Sequence, residues 1–206
     1  MPDGRSSVVD ETVPTGKIYC LSAFTSDLER RDWLPAAAKR LRVLEGLPPD
    51  LGRRFLGEIN LEEDGSFNVQ IPANTPIELQ LIDANGMALR SCRWFWVKNK
   101  ESRGCIGCHE DGELTPENVF AKALAKPSVA LTLPPEKRRT VSYQRDVKPI
   151  LAEKCGNQSC HGGATTPRVD TAAALAKYVH AGQARTSPLV WSVFGRGTSR
   201  PWDMLP

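Results

Sequence analysis

Five consecutive residues, Cys105-Ile106-Gly107-Cys108-His109, place two thiols three positions apart with an imidazole directly after them. This Cys-x-x-Cys-His spacing is the one by which a haem is attached covalently. Two thiols add to the two vinyl groups on one edge of the porphyrin, and the two intervening residues supply the reach between them. The next residue is thereby carried under the iron, where its imidazole coordinates the metal. Gly107, on this reading, leaves room for the ring. A second cluster, Cys155-Gly156-Asn157-Gln158-Ser159-Cys160-His161, is a widened form of the same pattern. Both clusters end in Cys-His, and the helical stretch Asp146-Val147-Lys148-Pro149-Ile150-Leu151 leads directly into the second. The expectation is two covalently attached haem c groups, one on Cys105, Cys108 and His109 and one on Cys155, Cys160 and His161.

Zinc is the competing chemistry, because paired cysteines also hold structural zinc. The four ligands would be Cys105, Cys108, Cys155 and Cys160. The 46 residues between Cys108 and Cys155 are a wide gap for a zinc ribbon. A zinc-stabilised binding module without enzymatic activity is the reading this alternative carries.

Each six-coordinate haem needs a second axial ligand, commonly His or Met. The chain has three histidines and three methionines. Beyond His109 and His161 only His180 remains, and of Met1, Met87 and Met204 the last lies beyond the second motif. His180 and Met204 are therefore the candidate distal ligands of the second haem. Met87, after a hairpin turn, is expected in the core. The first iron is left without an evident second ligand, and an open position is what ligand activation requires, whereas electron carriers are closed on both sides. Cys20 and Cys92 stand apart from both motifs. They read as a disulfide across a β-sandwich, as two buried thiols, or as thiols near the first haem. Trp94-Phe95-Trp96 is expected to pack on the porphyrin or in the core.

The elements that position these residues change along the chain. Sixteen Gly and sixteen Pro among 206 residues favour turns and argue against a long helical bundle. Lys17–Leu21 and Arg40–Leu44 alternate polar and apolar positions as half-buried strands do. Gly65–Ile71 and Ile77–Leu81 each put three large apolar residues on one face, and the pattern predicts that these two strands pair or neighbour one another. Asp83-Ala84-Asn85-Gly86 is an Asn-Gly hairpin turn leading into Met87–Trp96. Helix starts follow at Thr115-Pro116-Glu117 and at Ser142, the latter opening a helix over 143–154 with Tyr143, Val147, Ile150 and Leu151 on one stripe and a bend at Pro149. Two shorter helices are expected at Ala172–Val179 and Pro188–Phe194.

The fold class expected is mixed β and α: a small antiparallel β-sandwich of five to seven strands, followed by a small α-helical cytochrome c-like domain. Residues 1–14 read as a disordered N-terminal segment and 15–126 as the β-sandwich domain ending in the first haem motif. Residues 127–141, with Leu133-Pro134-Pro135-Glu136-Lys137-Arg138-Arg139, read as a linker, and 142–206 as a truncated cytochrome c-like haem domain.

A net charge of +3, from 27 Lys and Arg against 24 Asp and Glu, is too small and scattered for a nucleic-acid surface. No stretch approaches the roughly 18 to 20 apolar residues of a membrane span. Haem attachment takes place in an oxidising compartment, while Met1–Ser7 carries no secretory signal. The chain is thus expected to be a piece of a larger exported, periplasmic protein.

Several short motifs in order carry a family resemblance: Arg42-Val43-Leu44-Glu45-Gly46-Leu47-Pro48, Asp64-Gly65-Ser66-Phe67, Pro72-Ala73-Asn74-Thr75-Pro76, Leu79-Gln80-Leu81 and Cys105-Ile106-Gly107-Cys108-His109-Glu110. This stretch resembles the middle domain of the hydrazine synthase alpha subunit, and Tyr143 to His161 resembles a following cytochrome c-like haem domain. The resemblance implies a multidomain haem protein. It also implies that the first haem is the catalytic one, with a tyrosine ligand four residues beyond the motif histidine. Here that position is Glu113. From the residues, the expected work is electron transfer to or from a haem-centred redox reaction, with a redox partner protein or other domains of the parent chain as partners. A hydrazine synthase-like enzyme of nitrogen chemistry, acting on a small molecule at an open first haem, is the alternative.

Overall fold

The computed structural model describes residues 8–26, 37–47, 52–108, 120–158, 160–162, 168–181 and 184–194. It divides into two compact units, residues 1–139 and 140–206. Their described parts are taken separately.

In the first unit two sheets enclose one apolar core. One sheet has four strands: β1 (Thr15–Cys20), β4 (Phe67–Pro72), β7 (Ser102–Cys105) and β8 (Val129–Ala130), in the order β7-β1-β4-β8. The other has five: β2 (Arg40–Leu47), β3 (Gly52–Asn60), β5 (Ile77–Ile82), β6 (Ala88–Phe95) and β9 (Arg139–Thr140), in the order β6-β5-β2-β3-β9. Alternation decides which side chains enter the core, since successive residues of a strand point to opposite faces. Ile18 and Cys20 of β1 and Phe67, Val69 and Ile71 of β4 meet Leu41, Val43, Leu56, Ile77, Leu79 and Leu81 from the opposite sheet in a single cluster.

The sandwich is not purely antiparallel. β1 pairs with β4 antiparallel but with β7 parallel, and β4 pairs with β8 parallel. The expected neighbours β4 and β5 also part company: β4 lies in one sheet and β5 in the other. Their apolar rows face each other across the core rather than lying side by side. The connection between them turns the corner because its backbone is claimed elsewhere, Ala73 N–H by Pro14 O at 3.0 Å and Asn74 N–H by Val97 O at 2.8 Å. The hairpin at Asn85-Gly86 forms as its sequence predicts. Gly86 has φ +81°, Asp83 N–H donates to Met87 O, and β5 and β6 pair antiparallel. Met87 is buried.

Both ends of this unit are pinned. Within 8–14, Asp10 N–H donates to Asn99 O at 3.3 Å, and Asn99 Nδ2 donates to Val13 O at 2.7 Å. Residues 127–141, read from their prolines as a linker, supply β8 and β9. Leu131 from this segment is buried in the core, and Arg138 forms an ion pair with Glu45 at 2.8 Å. Trp94 leaves the core as well: its ring stacks on Gly46 and lies under Arg53, 5.3 Å from the guanidinium carbon, while Trp96 is exposed.

The second unit is helical and has a small core. Tyr143–Val147 forms one π-helical turn that runs into α1 (Lys148–Cys155). Pro149 sits in the first turn of α1, where the N–H it lacks is not needed, so the proline marks a change of helix type instead of bending a continuous helix. α2 (Ala172–Ala176) and α3 (Pro188–Val193) follow. Leu151, Val169 and Leu175 are buried, with Tyr143, Val147, Cys155 and Leu189 packed on them. Ile150, expected on that stripe, is 60% exposed. Of the helix expected from Thr115, residues 115–119 lie outside the described residues, and Lys122–Ala125 is a single 3-10 turn.

Candidate functional site

β1 and β7 run parallel with Cys20 opposite Cys105. Past that pair the two chains stay zipped: Leu21 N–H donates to Cys105 O at 2.9 Å, Ser22 N–H to Ile106 O at 3.1 Å, and Cys108 N–H to Thr25 O at 2.8 Å. The Cys-x-x-Cys turn is therefore built on residues 21–25 as on a template. Gly107 is required there by backbone, since a Cβ at this position would stand 2.5 Å from the Thr25 carbonyl oxygen.

Behind the turn lies a cavity of about 310 Å3. Its apolar wall comes from Leu41, Phe67, Leu79, Leu81 and Phe95, on strands of both sheets. Four cysteines open onto it, Cys20 and Cys92 together with Cys105 and Cys108. None of the six cysteines is joined in a disulfide. Of the readings of Cys20 and Cys92 the disulfide is not formed: Cys20 is a buried thiol of the core and Cys92 is a half-buried one packed against it. Two cations share the wall, Arg103 from β7 and the buried Arg90 from β6. Arg90 Nη1 donates to Ser26 Oγ at 2.7 Å and to Cys108 O at 3.2 Å. Burial pushes the Cys108 thiol up to about 12, against the opposing pull of the Arg90 charge and with a further push from Cys92.

In the second unit Cys155 ends α1 and packs on the small core. The loop after it folds back: His161 N–H donates to Cys155 O at 3.0 Å, and Asn157 receives Cys160 N–H on both its backbone oxygen, at 3.1 Å, and its Oδ1, at 2.8 Å. A widened Cys-x-x-x-x-Cys-His spacing thus closes into a compact loop with Cys160 exposed. Nδ1 of His161 is enclosed and makes no hydrogen bond among the described residues. His180 is exposed, with Nδ1 3.0 Å from Thr186 Oγ1 and its backbone N–H bonded to Ser187 Oγ at 2.8 Å. One ring nitrogen held in this way fixes the orientation of the other. His109, Glu113 and Met204 lie outside the described residues.

The two motif thiols and the cavity that they line are of a kind that suits a covalently attached haem. Both motif thiols face one apolar cavity, and at about 310 Å3 it sits at the lower end of the range for cofactor sites, room for an edge of a macrocycle. Among the described residues no three His, Cys, Asp or Glu side chains gather as metal ligands. No described helix is long and apolar enough to cross a membrane.

The solved structure of Kuenenia stuttgartiensis hydrazine synthase superposes on 90% of this chain with a TM-score of 0.75, at 19% sequence identity, and the match takes in 38% of that chain. The fold is hydrazine synthase-like. Residues 46–110 match the hydrazine synthase alpha subunit middle domain family. Hydrazine synthase subunit alpha of Kuenenia stuttgartiensis is 24% identical in a 225-residue alignment that covers 69% of this chain and 27% of the relative. The chain thus corresponds to well under half the length of either protein. The hydrazine synthase-like stretch 46–110 contains the cavity-lining residues Phe67, Leu79, Leu81, Arg90, Cys92 and Phe95 as well as the Cys105 and Cys108 turn.

Sequence reasoning did not single out Arg90. Its signal was position: with two-residue alternation along β6, Arg90 and Cys92 fall on one face, and Arg90 lies opposite Leu81, which lines the same cavity.

Proposed function

We propose that this chain is the haem-bearing part of a larger redox enzyme whose chemistry is hydrazine synthase-like, acting on a small nitrogen compound at a haem held by Cys105, Cys108 and His109. The observation that carries this reading is the pair of motif thiols on the wall of an apolar cavity inside the stretch that matches the hydrazine synthase alpha middle domain. A haem bound there would supply an iron centre able to exchange single electrons with a small ligand. Cys105 and Cys108 would hold the group, and His109 would offer its imidazole to the iron. Leu41, Phe67, Leu79, Leu81 and Phe95 exclude water. Arg90 and Arg103 place positive charge at the cavity wall. Glu113 stands where the resemblance implies a tyrosine, so the product is read by experiment, hydrazine first among the candidates.

Cys155, Cys160 and His161 of the helical second unit would hold a second haem, which when bound would supply a centre for electron exchange with a redox partner or with other domains of the parent chain. His180 is the favoured distal ligand, since Thr186 orients its ring; Met204 is the other candidate. Covalent haem attachment is chemistry of an oxidising compartment, and the reading therefore carries an exported, periplasmic setting with it.

The test is export of the chain together with a cytochrome c maturation system, followed by a pyridine haemochrome spectrum, intact mass and a carbon monoxide difference spectrum of the ferrous protein. Two haems with one carbon monoxide-sensitive iron support the enzyme. Two haems blind to carbon monoxide favour the second reading, a dihaem electron carrier, for which the Thr186-held His180 speaks. Protein without haem but with bound zinc would sink both.

A further inference from the structure

Arg90 is a charged side chain enclosed in an otherwise apolar part of the core, 6% exposed, on the strand opposite the one that carries the motif. A permanent cation in such a place is costly unless its donors are used. Two of its contacts converge on the first motif: Cys108 O, and Ser26 Oγ at the end of the segment on which the motif is templated. Cys108 is thus gripped from both sides, its N–H by Thr25 O and its carbonyl by Arg90. A planar guanidinium reaches two acceptors in fixed directions, which a lysine ammonium on a flexible stem does not.

We propose that Arg90 is the positioning residue of the first haem site, fixing the Cys108 turn for attachment and keeping a positive charge beside the attached group. The inference rests on the haem reading above. Attachment itself is a balanced addition: the Cys108 S–H bond breaks, sulfur bonds to one vinyl carbon and hydrogen to the other, and no external oxidant or reductant is consumed. What Arg90 contributes is the place of the sulfur. A cation on the wall of the cavity that would take the haem would also favour the ferrous form, which carries one positive charge fewer, and so raise the reduction potential.

The experiment compares wild-type chain, Arg90→Met and Arg90→Lys, each exported with the maturation machinery. Mass spectrometry reads covalent haem on the peptide bearing Cys105 and Cys108, and a spectroelectrochemical titration reads the midpoint potential of that haem. Arg90→Met is expected to lose most of the haem from this peptide, and the loaded fraction to titrate at a lower potential than wild type. Arg90→Lys is expected to lose haem while keeping the wild-type potential. A residue that only supported folding would lower the yield and leave the potential of loaded protein unchanged. Wild-type protein with no haem on this peptide overturns the haem reading. Haem present on wild type, with equal occupancy and potential in Arg90→Met, overturns the role of Arg90 alone. Should Arg90→Met not fold, undiminished occupancy in Arg90→Lys overturns it.

Discussion

Cys20 and Cys105 are register partners on adjacent parallel strands, and both line the same cavity. Neighbouring strands lie about 4.8 Å apart, within the Cα separation that a disulfide spans. Before haem arrives, Cys20 therefore competes for one of the two thiols that attachment needs. Treating the haem-free chain with diamide should produce a Cys20–Cys105 disulfide, seen as a linked peptide pair in non-reducing mass mapping, and should lower later haem attachment at the first motif. Cys20→Ala should restore attachment after the same treatment. A linked pair that never appears would show that the cavity holds the two sulfurs apart.

Gly107 offers a sharper test of how the motif turn is built. Any side chain there meets the Thr25 carbonyl oxygen, and backbone cannot swing aside as a side-chain tip can. Gly107→Ala is expected to cost about 1–3 kcal/mol, the usual range for forced overpacking, and to weaken the Cys108 N–H bond to Thr25. Thermal melting of the haem-free chain reads the first effect. Haem content of the Cys105–Cys108 peptide reads the second, which should fall while the Cys155–Cys160 peptide is unaffected.

What was legible in the sequence is local: the spacing of Cys105 and Cys108 puts both in one turn, and both line one cavity. Burial was legible in part: Phe67, Val69 and Ile71 alternate as a half-buried strand must, whereas Ile77, Leu79 and Leu81 alternate in sequence on a strand buried along its whole length, Glu78 and Gln80 included. Partnership was not. Alternation states which face is covered and says nothing of which strand lies alongside, so two strands with matching apolar rows were read as neighbours when they are opposite faces of one core. Residues 127–141 show the same limit from the other side. Prolines and basic residues suggested a linker, whereas Leu131 fills the space beside Gly57 and Arg138 finds Glu45, contacts fixed by residues some 75 to 95 positions away. Arg90 was hidden for that reason: its partners Ser26 and Cys108 are 64 and 18 residues distant.

Glu45 makes the pinning of residues 127–141 measurable. Burial alone would raise its pKa, but hydrogen bonds and charge from Arg54 and Arg138 outweigh that and hold the carboxyl below its ordinary value. A carboxylate with a depressed folded-state pKa contributes stability that is present above the unfolded value, about 4.3, and is lost as pH falls through the folded one. Unfolding followed by denaturant should therefore show stability declining below about pH 4.3, and Glu45→Gln should flatten that decline. At neutral pH the same variant leaves Arg138 with a weaker partner, at a cost on the order of 3 kcal/mol. An unchanged acid limb would mean that Glu45 is not the group that holds this segment.

Cys108 titrates in the opposite sense. Its thiol is pushed up to about 12 by burial from an ordinary value of 9.0, so the folded haem-free chain keeps the proton over a range in which the unfolded chain releases it. Stability from this group is complete below pH 9, then declines as pH rises toward 12. In the same range the thiolate needed for alkylation is scarce. At pH 8, iodoacetamide should label the exposed Cys160 much faster than Cys108, and the lag should vanish in denaturant. Arg90 pulls the Cys108 value down, so Arg90→Met should slow labelling of Cys108 further, provided the variant remains folded by circular dichroism. Faster labelling in that variant would mean that the turn had opened, and would assign to Arg90 the geometry of Cys108 more than its charge.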